Sequence, residues 1–270
     1  MEGDSQRGSF RPSSRDRANL RGVSFGVDAV GYDALRPSYP AALVDQLTAD
    51  RPRSVLDIAC GTGIASRLLA ERGCDVLGVE ADERMAAISR MTGIPVETGY
   101  FEDWKARGRA FDLVICGQAW WWLDLPVALE KIAGVLPAAG RLGVFWNVGG
   151  REDELSRALR AIYDDIAAAA KQRGGEGVSE PMLPSAFQPD PARDLESCGL
   201  FSSIEVAQYE WERRYTTDEW VAAAATFGDV IALPQEYRSQ LLDAVGDTVD
   251  AHGGARDVHI VTSLVTAIRA

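Results

Sequence analysis

The sequence predicts an α/β fold, a doubly wound sheet in which strands alternate with helices. Two observations carry this prediction. In the first 150 residues, five short apolar runs are each followed by a segment able to form a helix, which is the pattern of βα units around a mostly parallel sheet. The run Phe111–Cys116 is continuously apolar, as expected of a central parallel strand that is buried on both faces.

Length and composition favour one domain of this class. The chain has 270 residues, of which 46% are hydrophobic and 25% are charged, enough for a single α/β domain with a core and a lid. Four cysteines, Cys60, Cys74, Cys116 and Cys198, lack metal-ligand spacing and fit buried thiols of a reducing compartment. No apolar run reaches the roughly 18 residues of a membrane span, and no apolar leader is found. We therefore expect a soluble, cytoplasmic protein with no membrane partner.

The charge balance disfavours nucleic acid as a partner. The formal net charge is −12 and the sequence pI is near 4.7, so a polyanion would be repelled. The basic residues that do cluster lie in residues 1–22. This Ser-, Gly- and Arg-rich segment is expected to be a disordered tail, and an arm used in oligomerisation is the alternative.

The first strand opens into a glycine turn. Residues 55–59 form a short apolar run with one acid, Asp57, and Gly61 and Gly63 precede a helix predicted over Ile64–Glu71. Two glycines permit a sharp bend and a close ligand approach, and the helix N-terminus presents unpaired N–H groups. Glu80 ends the second run, 23 residues after Asp57, where an acid can accept hydrogen bonds from ribose hydroxyls. A nucleoside is the predicted ligand.

This combination resembles the first two motifs of the class I S-adenosylmethionine-dependent methyltransferases. The resemblance implies that Asp57 and the glycine turn bind the methionine end of the cofactor and that Glu80 binds its ribose. It also implies a seven-stranded sheet, mostly parallel with an antiparallel last hairpin, with helices on both faces and a lid inserted after the fifth strand. The cofactor contacts that we predict are Tyr32, Arg36, Asp57, Ala59, Gly61, Gly63, Glu80, Ala81, Met85, Phe101, Glu102 and Gln118.

The segment before the first strand extends the resemblance. Residues 32–40 read YDALRPSYP, similar to a Y…RPxYP segment that folds over the cofactor in one subgroup of small-molecule methyltransferases. Arg36 would then pair with the methionyl carboxylate, and Tyr32 and Tyr39 would wall the methyl group. Ordinary aromatic packing is the alternative for both tyrosines. A helix is predicted from Pro40.

After Glu80 the adenine side of the site is predicted. Asp82 is a plausible N-cap, and Met85 lies either beneath the adenine, as the resemblance implies, or in the core. A strand over Ile94–Tyr100 follows. The backbone N–H of Phe101 would then bind the adenine edge. In relatives an aspartate, often at the position of Tyr100, accepts from the exocyclic amine of the adenine. Since this chain has a tyrosine there, Glu102 and Asp103 are the candidate partners of that amine.

The fourth strand ends in three tryptophans. Residues 118–122 read QAWWW, similar to the QAxHW segment of the same subgroup, with Trp121 where relatives often have histidine. Asp124 is expected to cap a helix through Leu136. The fifth strand, GRLGVFWN, ends at the same sheet edge, where ligands of open α/β sheets bind. The acceptor pocket that we predict comprises Trp120, Trp121, Trp122, Trp146, Asn147 and Trp220.

The second half of the chain is less regular. A helix over 152–172, a connection over Gly174–Asp190 and a lead-in, Leu195–Phe201, precede the strand SIEVAQYEW. Helices after Thr217 and over Pro234–Ala251, and a last strand near Val258–Ala267, complete the chain. The domain organisation we predict is a disordered tail, 1–22, and a single Rossmann-like domain, 23–270, with cap helices in 23–53, a cofactor-binding core in 54–150 and acceptor lid segments in 151–200 and 213–256.

Methyl transfer from a sulfonium needs alignment and a dry site, and a general base only where the acceptor atom arrives protonated. Trp121 stands where relatives often have a histidine that could serve as a base, and His252 lies in a predicted turn. The remaining candidates for a general base are Tyr32, Tyr39, Asp124 and His259. We predict Tyr32, Tyr39, Trp121 and His259 as the catalytic residues. A small aromatic or apolar acceptor of secondary metabolism, methylated on nitrogen or carbon with oxygen possible, suits these walls.

Two alternatives stay open. Some proteins resembling this family bind S-adenosylmethionine and catalyse a cyclisation or rearrangement. The other alternative is a nucleotide-dependent oxidoreductase or binding protein. Ser66 stands where the GxGxxG pattern of such proteins has its third glycine, which argues against this alternative. We expect S-adenosylmethionine as cofactor, S-adenosylhomocysteine as product, no metal, a small-molecule acceptor, and a monomer or homodimer.

Overall fold

We analysed a computed structural model of the chain, which describes residues 25–172, 178 and 189–270. The tail predicted over 1–22 and most of the connection predicted over Gly174–Asp190 lie outside these residues. Both therefore stay predictions.

A seven-stranded sheet of order β3-β2-β1-β4-β5-β7-β6 organises the chain. Parallel pairs join the strands from β3 to β5, and β7 runs antiparallel to both of its neighbours. The predicted doubly wound, mostly parallel sheet is confirmed. Its strands are β1 (Ser54–Ile58), β2 (Asp75–Glu80), β3 (Val96–Thr98), β4 (Leu113–Gly117), β5 (Arg141–Gly149), β6 (Phe201–Thr216) and β7 (Ala255–Arg269).

Helices cover both faces of the sheet. Short 3-10 turns at Phe25–Asp28 and Trp120–Trp122 supplement them. The α-helices are α1 (Ala29–Leu35), α2 (Ala41–Leu47), α3 (Ile64–Ala70), α4 (Glu83–Met91), α5 (Leu125–Val135), α6 (Glu154–Gln172), α7 (Pro191–Cys198), α8 (Thr217–Ala225), α9 (Gly228–Ala232) and α10 (Gln235–Ala251).

The antiparallel end of the sheet is a long pairing interrupted by helices. The ladder between β6 and β7 runs from Phe201 opposite Arg269 to Thr216 opposite Ala255. Helices α8, α9 and α10 connect the two strands, so this is not a tight hairpin. Helices α6 and α7 occupy the predicted insertion after β5. Helices therefore lie both between β5 and β6 and between β6 and β7.

Two local expectations need correction. The third strand is shorter than Ile94–Tyr100. The segment Leu195–Phe201 leads into β6 as expected, and its first four residues are the end of α7, which Asp190 caps by accepting from the N–H of Arg193 (3.1 Å) and Gly199 ends with a left-handed φ of 69°. Asp124 stands at the N-cap of α5, but its side chain makes no capping hydrogen bond there.

Three apolar clusters stabilise these layers. One packs α5 and α7 against a sheet face, and a second packs α2 and α3 against the opposite face. The third joins α6, α8 and α10 to the ends of β6 and β7. Cys60, Cys74 and Cys116 are buried and Cys198 is half-buried, all as free thiols. Within the residues that the structure describes, no helix is long and apolar enough to span a membrane.

Candidate active site

A cleft lies at the carboxyl ends of β1, β4 and β5, beside the point where the strand order reverses between β1 and β4. Ligands of open α/β sheets bind at this position. The cleft encloses about 720 Å³ between atoms, part of it continuous with solvent. Residues of five segments distant in sequence meet there. The lining residues are Tyr32, Arg36, Pro37, Tyr39, Asp57, Ala59, Cys60, Gly61, Thr62, Ile64, Ala65, Gly117, Gln118, Asn147 and Phe227.

The glycine turn forms the floor of the cleft. Ala59, Gly61 and Gly63 have positive φ angles of 53°, 57° and 84°, a region that glycine adopts at little cost and alanine rarely adopts. Gly63 is the N-cap of α3. Between the glycines, the hydroxyl of Thr62 is buried and has no hydrogen-bond partner among the described residues. Thr62 lines the cleft. The sequence did not predict this residue as part of the site, because the GxG pattern allows any residue at its middle position.

Asp57 is a buried carboxyl group at the base of the cleft. Its side chain is 1% exposed and accepts a hydrogen bond from the Ser66 hydroxyl (2.6 Å). Burial raises its pKa to about 7, and the negative charge of Glu80 adds to the rise, whereas the Ser66 hydrogen bond opposes it. Because this pKa lies near neutrality, a cation bound nearby would favour the carboxylate form.

Glu80 joins the second strand to the glycine turn. One carboxylate oxygen accepts from the N–H of Gly61 (2.8 Å), and the other accepts from the N–H of Asp82 (2.9 Å). Burial raises its pKa, and these backbone hydrogen bonds oppose the rise. Asp82 in turn caps α4 through the N–H of Arg84 (3.0 Å), as predicted. These hydrogen bonds do not use every lone pair of the carboxylate, which keeps acceptor capacity for a ribose hydroxyl.

The residues predicted on the adenine side lie outside the cleft lining. Phe101 is buried and stacks on Trp104 with ring centroids 6.0 Å apart, while the carbonyl oxygen of Phe101 accepts from the Lys131 ammonium (3.0 Å). Glu102 accepts from the N–H of Asp124 (2.8 Å). Glu102 therefore caps the helix that Asp124 was expected to cap. Met85 is buried, and its terminal methyl group would lie 3.5 Å from a Cβ added at Gly61. Ala81 connects β2 to α4.

Arg36 is the cationic side chain of the cleft. Its guanidinium carbon lies 3.8 Å from the centre of the Phe227 ring and 4.7 Å from that of Tyr32, and one terminal nitrogen donates to the carbonyl oxygen of Thr226 (3.0 Å). Its Nε is buried without a hydrogen-bond partner among the described residues. Burial lowers its pKa. An anionic group in the cleft would satisfy this donor.

Tyr39 supplies a phenol to the cleft. Its ring meets Phe145 edge to face at 4.7 Å, and a Cβ at Gly117 would lie 3.0 Å from the phenol oxygen and 2.8 Å from Phe145. Gly117 therefore permits this close approach. Burial raises the pKa of Tyr39 well above its usual value of 10. The phenol keeps its proton at neutral pH and acts as a hydrogen-bond donor.

The tryptophans predicted for the acceptor pocket do not line the cleft. Trp120 and Trp146 lie in the cluster beneath α5 and α7, and the Trp120 indole donates to Asp194 (3.0 Å). Trp121 and Trp122 are half-buried beside that cluster. Trp220 lies in the third cluster, 3.9 Å below the guanidinium carbon of Arg256. Of the predicted acceptor residues, only Asn147 lines the cleft.

The alternation of side chains along β5 explains this separation. Phe145 and Trp146 are successive residues, so they point to opposite faces of the sheet. Phe145 packs beside Tyr39, whereas Trp146 packs under α5 and α7. The tryptophan assignments stay predictions.

Neither histidine lines the cleft. His259 lies on β7, with its Nε2 3.2 Å from a carboxylate oxygen of Glu210, and His252 follows α10, with its Nδ1 2.7 Å from the carbonyl oxygen of Thr248. Of the four residues predicted to be catalytic, Tyr32 and Tyr39 line the cleft, whereas Trp121 and His259 do not. The described residues hold no group of three His, Cys, Asp or Glu side chains arranged for a metal ion.

Comparison with known proteins identifies the family. A family model for a methyltransferase domain matches residues 56–144, and an uncharacterized methyltransferase of Mycobacterium tuberculosis is 30% identical over 233 residues, 85% of this chain and 87% of the relative. The chain belongs to the class I S-adenosylmethionine-dependent methyltransferases. A trans-aconitate 2-methyltransferase of Mycolicibacterium gilvum is 27% identical over 216 residues, covering 77% of this methyltransferase and 82% of the relative.

A solved structure supports the fold of the methyltransferase. A proposed type II methyltransferase from Anaeromyxobacter dehalogenans superposes with a TM-score of 0.63 at 20% identity, covering 87% of this chain and 97% of that chain.

The residues of the cleft fit S-adenosylmethionine chemically. Its methionine end carries a carboxylate and an ammonium, for which the cleft offers the unpartnered Arg36 Nε and Thr62 hydroxyl and the Asp57 carboxyl group. Its ribose carries two hydroxyls, for which Glu80, outside the cleft lining but bonded to the N–H of Gly61 in that lining, has acceptor capacity.

Proposed function

We propose that this methyltransferase transfers a methyl group to a small molecule whose nucleophilic atom needs no general base. The observation that carries the proposal is the lining of the cleft: its described part contains no histidine, Tyr39 stays protonated because burial raises its pKa, and the Asp57 carboxyl group is assigned to the cofactor. A phenol or alcohol acceptor needs a base to become nucleophilic. An amine, an electron-rich carbon or a carboxylate does not.

We assign cofactor binding to the residues around the glycine turn. Asp57, Glu80 and Thr62 would hold the polar groups of S-adenosylmethionine, Gly61 would admit them without a Cβ clash, and Arg36 would pair with the methionyl carboxylate. When bound, this cofactor supplies an electrophilic methyl group on sulfur. The protein's part is to orient the acceptor and exclude water.

The acceptor wall that we propose is aromatic and comes from the lid. Phe227 lies between α8 and α9 and reaches the cleft beside Tyr32 and Tyr39. This contact supports the assignment of residues 213–256 as a lid, although 213–216 belong to β6. Aromatic faces favour a flat or apolar acceptor and a developing positive charge on nitrogen.

A carboxylate acceptor is the second candidate. The buried guanidinium of Arg36, with an unpartnered Nε, would recognise a carboxylate as readily in an acceptor as in the cofactor. The Mycolicibacterium gilvum relative bears the name of a methyltransferase of trans-aconitate, a carboxylic acid. Trans-aconitate and simpler carboxylic acids therefore belong in an acceptor screen.

The test combines binding with an acceptor screen. Native mass spectrometry with S-adenosylmethionine, S-adenosylhomocysteine and NAD identifies the cofactor, and we expect both adenosyl ligands to bind and NAD not to bind. Amines, electron-rich aromatics, carboxylic acids and phenols are then incubated with enzyme and cofactor. We expect the mass gain of one methyl group for members of the first three classes.

Methylation of phenols alone would contradict the base-free proposal. A product of changed structure but unchanged mass would instead support the cyclase or rearrangement alternative.

A further inference from the structure

A rigid segment, Arg36–Pro40, crosses the cleft and carries both Arg36 and Tyr39. We call it the strap. Arg36 (φ −67°, ψ 142°) and Pro40 (φ −63°, ψ 144°) are extended, and Pro37 and Pro40 fix their own φ angles and restrict the residues before them. Because several backbone torsions are restricted, a contact at the central Ser38 restrains the backbone that carries both flanking side chains.

Asn147 makes that contact. Its amide nitrogen donates to the carbonyl oxygen of Ser38 (3.0 Å), and its amide oxygen accepts from the hydroxyl of Thr262 (2.5 Å). The same hydroxyl accepts from the indole N–H of Trp211 (2.8 Å). An indole nitrogen only donates, so the direction of every hydrogen bond in this series is fixed. The Asn147 amide therefore has one orientation, with its NH₂ toward the strap.

The backbone of Asn147 is fixed as well. Its N–H donates to the side-chain oxygen of Gln118 (3.2 Å), and its carbonyl oxygen accepts from the Gln118 amide (3.4 Å). Gln118 has a left-handed φ of 57°, a conformation that side-chain-bearing residues rarely adopt. The end of β4 thus holds the end of β5, and Asn147 cannot follow the strap if the strap moves.

The series starts outside the cleft lining. Trp211 lies on β6 and pairs with Ile260 of β7, whereas Thr262 is 0% exposed and pairs with Asn147 in the sheet. Trp211 and Thr262 do not line the cleft. Their effect on a bound molecule would pass through Asn147 and Ser38.

We propose that Trp211, Thr262 and Asn147 form a positioning relay that fixes the strap and so aligns Arg36 and Tyr39 with the bound cofactor. The proposal rests on the cofactor site proposed above. Without the Thr262 hydroxyl, the Asn147 amide oxygen loses its buried donor, so side-chain conformers of Asn147 that no longer reach the Ser38 carbonyl oxygen gain population. Strap positions that bind the cofactor less tightly then become populated.

The main test compares two threonines of β7 that are both buried. Thr262→Val removes the hydroxyl at nearly constant shape, and Thr262→Ser restores it. Thr266→Val is the matched control, because Thr266 lies on the same strand opposite Gly143, away from the relay. The dissociation constant of S-adenosylhomocysteine is measured by calorimetry, together with the Tm of each free protein.

We expect Thr262→Val to weaken S-adenosylhomocysteine binding about tenfold, the loss of one well-made buried hydrogen bond. Thr262→Ser should retain most of the affinity, and Thr266→Val should leave it unchanged. Trp211→Phe should weaken binding less than Thr262→Val, because Thr262 can still donate to Asn147. Asn147→Asp should weaken it most, because a carboxylate cannot donate to Ser38.

Equal affinities for wild type and Thr262→Val would overturn the relay. So would equal losses of affinity in Thr262→Val and Thr266→Val, since both would then reflect stability alone. If the wild-type protein itself binds neither S-adenosylhomocysteine nor S-adenosylmethionine, the proposed cofactor site fails instead.

Discussion

The two sides of the cleft are held together over very different distances along the chain. On the side of β1 and β2, Ser66 bonds Asp57 nine residues away and Gly61 bonds Glu80 nineteen residues away. On the side of the strap, Asn147 bonds Ser38 across 109 residues, and Arg36 bonds Thr226 across 190. The floor of the site is thus a local structure, and its wall is a tertiary one.

The difference coincides with the reach of the family model. That model matches residues 56–144, which include most of β1, all of β2 to β4 and the first four residues of β5, and it ends before Asn147. The matched part contains the glycine turn, and the unmatched parts contain the strap and the lid. Asp57, Thr62 and Glu80, which we propose as cofactor contacts, lie in the matched part, whereas Arg36, the strap and the lid lie outside it.

The largest effect we expect is on the locally built side, in the pH dependence of stability. Folding raises the pKa of Asp57 from 3.8 to about 7, so the folded state binds more protons than the unfolded chain between these values. Stability then falls as pH rises through this window. Asp57→Asn should remove this loss, which is about 4 kcal/mol at most, as measured by urea denaturation at intervals across the window.

Asp112→Asn provides a control of opposite sign. Backbone N–H groups of Ser54 and Arg53 and the Ser54 hydroxyl lower the pKa of Asp112. Its contribution is present above its ordinary pKa and is lost as pH falls below about 4. A wild-type protein whose stability rises between about pH 4 and about pH 7 relative to Asp57→Asn would contradict the buried, protonated state of Asp57.

The second prediction concerns cofactor affinity on the same side. Glu80→Gln should weaken S-adenosylhomocysteine binding more than tenfold, because it removes charge-assisted hydrogen bonds worth about 1.5–3 kcal/mol. Asp75→Asn, at the exposed start of the same strand, should leave calorimetric affinity unchanged. If Glu80→Gln bound S-adenosylhomocysteine as tightly as Asp75→Asn does, Glu80 would not be a cofactor contact.

A third prediction tests whether the tryptophans on the opposite sheet face are independent of the floor. Trp120→Phe loses the hydrogen bond to Asp194, which docks α7, and should lower the free energy of unfolding by about 1–2 kcal/mol. Cofactor affinity should be unchanged, because Trp120 does not line the cleft. Weaker S-adenosylhomocysteine binding in Trp120→Phe would mean that the two sheet faces are coupled.

The smallest effect is expected where the strap side meets the glycine turn. Arg67 donates to the carbonyl oxygen of Thr62 (2.9 Å) and to Asp33 of α1 (2.8 Å). The Arg67 and Asp33 side chains are 26% and 24% exposed, so Asp33→Asn should cost less than about 1 kcal/mol, and less still at high salt. Asp45→Asn, which removes the more exposed ion pair with Arg72, should have no measurable effect in the same denaturation experiment.

The same contrast separates what the sequence could predict from what it could not. The apolar runs, the Asp82 cap and the GxG turn are signals carried by neighbouring residues, and β1, β2, β4 and β5 lie where those signals placed them. The strap contacts of Asn147, Thr262 and Trp211 join residues that only the tertiary fold brings together, and no spacing in the sequence indicates them.

The tryptophan cluster shows a second limit. Three indoles at the end of β4 predicted a pocket because they follow a strand that ends at the ligand edge. Whether they turn toward the cleft or toward α5 depends on the 3-10 turn Trp120–Trp122 and on Asp194 as a partner. That partner lies 74 residues away, so local pattern alone gives no sign of it.

The distance along the chain between the strap and its partners has a consequence for synthesis. The partners of the Glu80 carboxylate, Gly61 and Asp82, lie in the first third of the chain, as does Ser66, the partner of Asp57. Arg36 and Ser38 are made earlier still, yet their partners Thr226 and Asn147 are made later. Thr262, which bonds Asn147, and Trp211, which bonds Thr262, also belong to the second half of the chain. The contacts that hold the strap are therefore complete only when β7, the strand made last, takes its place between β5 and β6.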